Sequence, residues 1–393
     1  MLALRLARGS HPLVLLRRLL VAAASAGVGF LLLCALGYAS GHPDQSAGAV
    51  LRLLWCLVPL AATVQFAVAV ARTDPSTRPR SGLSAVGLGP VRLTVLAAVS
   101  TALSCALGST VALLVFLHLR GDLSGLPFDG AAAGLLDAKS PLPVMAVLVL
   151  LAVVPVSAAV ASGLALRVRP LMVQGPEEGS SDGPREEHPV PAKPPSGLPW
   201  GVALTAVGLA VEAYMSRGDG QSLLPLPGRL ADSPAGVLAG WTLTAVGLAV
   251  AGPGLAYHCG RLLQAARPGA VRLLAGRVLM DEARRIGGPL GVVCAVLSAV
   301  VAAYAMYGTG PRPFGPLTSL GAVLVLGCAT ATLLTSALGA RQDRAGTARA
   351  LRRLGAPVSA LRCATALRAA VLVLVFAPLT WLIAALAALP LTS

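Results

Sequence analysis

Apolar stretches of membrane length recur along nearly the whole chain, and this constrains the fold more than any other feature. They are rich in Ala, Val, Leu and Gly, and several exceed the roughly 18–20 residues a helix needs to cross the hydrocarbon core. No water reaches that layer, so a spanning element has to satisfy its own N–H and C=O groups. The period-two alternation of a transmembrane β-barrel is absent. The expectation is an all-α polytopic membrane protein with about nine transmembrane helices, in a range of about eight to ten. The segments fall near 19–39, 51–71, 93–118, 142–166, 199–215, 235–257, 288–307, 317–339 and 367–390.

Composition agrees. Hydrophobic residues make up 56% of the chain and charged residues 12%, against about 25% charged in soluble domains. The net charge of +15 raises the question of nucleic acid, but aromatic residues are only 4% and supply no stacking platform. With the N-terminus in the cytoplasm, 25 of the 31 Lys and Arg lie on the inner side and six outside. That follows the positive-inside rule. The basic excess is then a topology signal, assisted by anionic membrane lipids. The expected location is the cell membrane, multi-pass, with no nucleic-acid partner. The first apolar run could be a signal peptide preceded by Arg17 and Arg18. It lacks a small-residue cleavage site, so retention as an anchor is the expectation.

Cys34, Cys56, Cys105, Cys259, Cys294, Cys328 and Cys363 form no CxxC pair. Buried, inert thiols are expected rather than a disulfide framework or metal site. No P-loop, HExxH or GxSxG motif occurs. The chain is therefore expected to be no enzyme and to hold no cofactor and no metal. Among the few charges at membrane depth, Glu212 is the best candidate for a proton or cation site. A carboxylate reaching the outer interface is the plainer account.

Two Arg-rich connections far apart in sequence carry nearly the same word. One runs from Ala71-Arg72-Thr73-Asp74 to Gly87-Leu88-Gly89-Pro90. The other runs from Ala340-Arg341-Gln342-Asp343, through Arg352 and Arg353, to Gly355-Ala356-Pro357-Val358. Each follows one apolar segment and leads into another. For one such loop alone, topology-setting arginine with turn residues would be the plainer explanation; two matching loops weigh against it. Residues 1–18 and the stretch 260–287, which contains Leu273–Arg285, look like amphipathic elbows lying along the interface. Residues 174–198, rich in Pro, Gly and charge, cannot bury enough surface to order themselves.

The order of these pieces resembles the FtsX/MacB-like permeases of ABC transporters, in their two-repeat form. The resemblance is carried by LALRLARG, by ARTDPSTRPRSGLSAVGLGPVRLTVL, by RLLAGRVLMDEARRIGGPLGVV and by ARQDRAGTARALRRLGAPVSALRCATALRAAVL. It implies a first FtsX-like repeat over 1–170, a cytoplasmic linker over 171–198, an inserted hairpin over 199–259 and a second repeat over 260–393. That second repeat ends one span short, or residues 367–390 hide a re-entrant pair, for which they are too short. Residues 40–50 leave no room for a large extracytoplasmic domain. By resemblance, 72–92 and 341–362 are coupling loops that contact a separate ABC ATP-binding subunit, in two copies. The residues concerned are Arg72, Asp74, Gly87, Gly89, Pro90, Arg341, Asp343, Arg352, Arg353, Gly355 and Pro357. The implied function is the permease subunit, driven by the separate ATPase to export or extract an amphipathic, lipid-like or peptide substrate. Two alternatives stand beside it: a sensory or regulatory membrane protein of the same fold, and an ion-coupled secondary transporter. Inverted repeats of the latter kind would put the two basic loops on opposite faces.

Overall fold

The computed structural model describes residues 12–73, 90–122, 130–134, 136, 142–173, 195–217, 235–265, 269–307, 315–355 and 357–392. Among these there is no strand, and nine long helices account for most of them. They are α1 (Pro12–Gly41), α2 (Ser46–Thr73), α3 (Pro90–Arg120), α4 (Val144–Val173), α5 (Leu198–Arg217), α6 (Ala235–Gln264), α7 (Ala270–Tyr307), α8 (Pro316–Arg353) and α9 (Val358–Thr392). Eight are long and apolar enough to cross a membrane. In α5 the apolar part, Leu198–Tyr214, is shorter. The protein is a multi-pass membrane protein. The 174–194 part of the expected linker lies outside the described residues.

The helices divide into two compact units. The first comprises Met1–Ser180 with Phe314–Thr332, and the second comprises Ser181–Pro313 with Leu333–Ser393. In the first unit, α1 is the central element. Its Val28 and Leu33 are wholly buried, and it packs against α2, α3 and α4. Gly108 lets α3 approach closely: a Cβ there would collide with the Ala22 carbonyl and with Ser25. Beside that contact the Ser25 hydroxyl donates to the Cys105 carbonyl oxygen at 2.7 Å. Close helix approach through small residues is how membrane helices gain packing where the hydrophobic effect between them is weak. The α1–α2 connection is tight, a 3-10 turn at Pro43–Gln45. There Tyr38 stacks on His42 at 4.5 Å, and the Arg52 guanidinium lies 3.3 Å from the Tyr38 ring centre.

The second unit is built on glycine contacts. A Cβ on Gly276 of α7 would stand 2.6 Å from the Gly260 carbonyl oxygen of α6, and one on Gly260 would stand 2.8 Å from that of Gly276. A Cβ on Gly287 would meet the Gly252–Pro253 backbone. α5 meets α6 in the same way through Gly201, Gly208 and Gly247. The α5–α6 hairpin, expected as an insertion, thus packs onto α7 and α9 within this unit.

One expectation is corrected here. Leu273–Arg285 is no separate interfacial elbow but the first half of one uninterrupted helix, Ala270–Tyr307. Its apolar side, Ala275, Leu279 and Ala283, is buried, and Ala275 and Leu279 pack with Cys259, Leu263 and Ala364. Protein has taken the place that lipid would occupy beside an interfacial helix. The equivalent elbow at 1–18 lies partly outside the described residues. From Pro12 onward it continues directly into α1. Residues 367–390 hold no re-entrant pair, since α9 is one helix throughout.

Candidate partner-docking hairpin and its charged anchor

The segment 341–362, expected as a loop, is mostly helical. At 38 residues and about 1.5 Å per residue, α8 is about 57 Å long, nearly twice the hydrocarbon thickness. The reason lies in local propensity. The stretch from Arg341 to Arg353 is dominated by Arg, Ala, Gln and Leu, which favour helix whether or not lipid surrounds them. Hydropathy falls away there, but the hydrogen-bond ladder does not. Arg344 and Arg349 donate from Nε to the carbonyls of Ala340 and Ala345, each at 3.1 Å.

Gly355 ends the helix. Its φ of +92° lies in the left-handed region that costs an L side chain energy and suits glycine. The Leu354 N–H donates to the Ala350 carbonyl at 3.1 Å, and the Gly355 N–H to that of Arg352 at 3.0 Å. This meets the need of a helix C-terminus for donors to its last carbonyls. Pro357 follows at once and cannot continue a helix. α9 starts at Val358. The result is a tight turn between two helices that presents Arg352, Arg353, Gly355 and Pro357 to the surroundings. Leu354 at its apex is 84% exposed, flanked by the two arginines. Arg341, Asp343 and Arg349 are exposed on the shaft.

The root of this hairpin is anchored by a charge cluster on three helices. Glu282 of α7 forms an ion pair with Arg344 of α8, whose Nε is 2.6 Å from its Oε1, and accepts from Arg368 of α9, 3.4 Å from its Oε2. The Glu282 and Arg368 side chains are each only 12% exposed. One helical turn away, Arg285 of α7 pairs with Asp343 of α8. Carboxylates with planar guanidiniums on both sides form directional contacts that a lysine would not reproduce. Deeper along the same α7–α9 seam, the Cys294 thiol and Thr380 hydroxyl are 2.6 Å apart. The Ser298 hydroxyl lies 3.0 Å from the Thr380 carbonyl and 2.8 Å from that of Cys294, as donor to both.

Of the sequence-derived site residues, Asp343 alone enters an ion pair given above, and its partner is one sequence analysis did not name. Glu282, Arg285, Arg344 and Arg368 are the cluster members that were missed. The available signal was acidic residues placed in otherwise basic helices: Asp281 and Glu282 in α7, and Asp343 in α8. The pairing of Glu282 across 62 and 86 positions and of Asp343 across 58 had no local mark. In the other connection, Arg72 is exposed in the last turn of α2 and Pro90 is the first residue of α3. Asp74, Gly87 and Gly89 lie outside the described residues.

Glu212 is packed between the two helices of the α5–α6 hairpin. It is 1% exposed, and its Oε1 accepts the Trp241 indole N–H across the α5–α6 hairpin. A buried carboxyl satisfied by an indole donor holds two helices together. All cysteines but Cys363 are buried, and all are free. Among the described residues no group of His, Cys, Asp and Glu is placed to hold a metal ion. Searches against protein-family models, curated proteins and solved structures find no match for this chain.

Proposed function

We propose that this chain is the membrane-spanning permease subunit of an ABC transporter, and that the Arg352–Pro357 hairpin tip docks on a separate ATP-binding subunit. The observation that supports this most is mechanical. α8 runs unbroken to Arg353, turns at Gly355, and is fixed at its root to α7 and α9 through Glu282. A helical turn with arginines and one apolar residue at its tip suits a partner surface carrying carboxylates around an apolar pocket. Motion imposed on the tip would reach α7 and α9 through the charged anchor, not dissipate in a loop. The proposed orientation puts the N-terminus and this hairpin in the cytoplasm. The substrate proposed is amphipathic or lipid-like, because polar groups suited to a sugar or ion are sparse along the spans.

The test is reconstitution in liposomes with a candidate ABC ATP-binding subunit. The chain should stimulate ATP hydrolysis, and Arg352→Glu/Arg353→Glu should remove the stimulation while leaving the chain folded. Stimulation unchanged by the double charge reversal would refute the docking assignment.

A further inference from the structure

We propose that the acidic stretch 182–187, between α4 and α5, docks on an arginine face of the α6–α7 seam formed by Arg261, Arg277 and Arg284. This is independent of the ATPase assignment, which uses the turn at Gly355.

The face follows from the glycine contacts. Gly260 of α6 meets Gly276 and Met280 of α7, and Gly252 meets Gly287, so the two helices run antiparallel. Arg261 and Arg277 each come one residue after a glycine of that contact. In two antiparallel right-handed helices such residues turn to the same side of the seam. Arg284, seven positions after Arg277, returns to that side. All three are exposed. On the opposite side Cys259, Leu263, Ala275 and Leu279 pack with Ala364 of α9.

Charge then selects the occupant. Among the described residues of this unit, ion pairs join Arg285, Arg344 and Arg368 to Glu282 and Asp343. None of them involves Arg261, Arg277 or Arg284. Asp281, exposed between Arg277 and Arg284, is the one acid on their side of α7, so the face keeps a surplus of positive charge. The stretch 174–194 carries Glu177, Glu178, Asp182, Glu186 and Glu187 against Arg185 and Lys193. Five of the chain's 16 acidic residues thus fall between 177 and 187.

The place where that stretch joins α5 puts its acids within reach. Gly197 stands against Val250, and Leu198 against Gly254 of α6, which fixes the start of α5 on that helix. α5 and α6 are antiparallel, Gly201 facing Ala251 and Gly208 facing Thr244. α6 therefore continues beyond the start of α5 to Arg261, about 10 Å past Gly254. Glu187 precedes Pro195 by eight positions, a reach of about 26 Å when extended. Tethered carboxylates are present at an effective concentration of about a millimolar. Each exposed pair is weak alone, but one face offers the stretch three arginines at once.

The experiment is disulfide trapping in the full-length chain carrying Cys363→Ser, the other six cysteines being buried. His188→Cys/Asp281→Cys places one thiol beside the acids and one on the arginine face. His188→Cys/Arg272→Cys is the control, because Arg272 is exposed but lies about 140° around α7 from Arg277. Oxidised with copper phenanthroline at low salt, the first pair should cross-link at least about fivefold faster than the control. Adding Glu186→Gln/Glu187→Gln, or raising salt to about 0.5 M, should bring the two pairs level. Equal rates at low salt without those changes would overturn the proposal. So would a fast first pair that survives Glu186→Gln/Glu187→Gln, since the contact would then not be one of charge. Loss of the fast cross-link in phosphatidylglycerol vesicles, with retention in phosphatidylcholine vesicles, would assign the arginine face to the membrane surface and also overturn it.

Discussion

Glu282 divides its two carboxylate oxygens between two helices, with Arg344 at 2.6 Å on one and Arg368 at 3.4 Å on the other. Replacing it with Gln leaves two arginines facing each other over a neutral amide. Removing one member of a largely desolvated ion pair costs more than the pair contributes, because a charge is left behind. Glu282→Gln should destabilise the protein by about 1–3 kcal/mol, read as a lowered melting temperature in detergent. Pairing it with Arg368→Met should recover part of the loss. A strictly additive double mutant would show that the two residues do not interact.

Gly355→Ala isolates a backbone effect. No atom stands within 4 Å of the position its Cβ would take, and φ is +92°. Steric clash is therefore excluded, and the expected cost is the left-handed penalty of about 1–2 kcal/mol. Gly355→Asn should cost less, since asparagine tolerates that region better than other residues with a Cβ. Thermal unfolding of the three proteins checks the order Gly, Asn, Ala. Equal stability of Gly and Ala would mean that the hairpin does not turn here as described.

Adjacent glycines give a paired test of the α6–α7 contact. A Cβ on Gly287 would meet the Pro253 backbone, whereas one on Gly288 has only the Ala249 carbonyl, 3.9 Å away. Gly287→Ala should therefore lower the folded yield sharply, through a displacement costing about 1–3 kcal/mol. Gly288→Ala should be neutral or slightly stabilising. Similar behaviour of the two variants would contradict the packing described for this seam.

These elements differ in how legible they were. Apolar runs marked where each helix crosses, because burial in lipid demands continuous hydrophobicity. They did not mark where α7, α8 and α9 begin and end. Hydropathy stops near Leu338, yet Ala, Arg and Leu carry α8 on to Arg353. The turn at Gly355-Ala356-Pro357 was legible, since glycine and proline punctuate a chain locally. Glu282 was not, because its two partners lie 62 and 86 positions away and resemble the surrounding arginines.

Cysteine labelling reports both burial and orientation. Cys363, near the start of α9, is the one exposed thiol, while the other six are buried. A membrane-impermeant maleimide should add a single label to the detergent-solubilised protein. In sealed vesicles it should react only from the face that carries the hairpin, proposed to be cytoplasmic. Labelling from the opposite face would reverse the orientation.

The docking claim is tested most directly by co-purification. The tagged chain is isolated in mild detergent with nucleotide, alongside a co-expressed candidate ABC ATP-binding subunit. Wild type should recover that subunit stoichiometrically, and Arg352→Glu/Arg353→Glu should lose it while retaining the same melting temperature. Failure of the wild-type chain to recover an ATP-binding subunit, or equal recovery by the double mutant, would contradict the account.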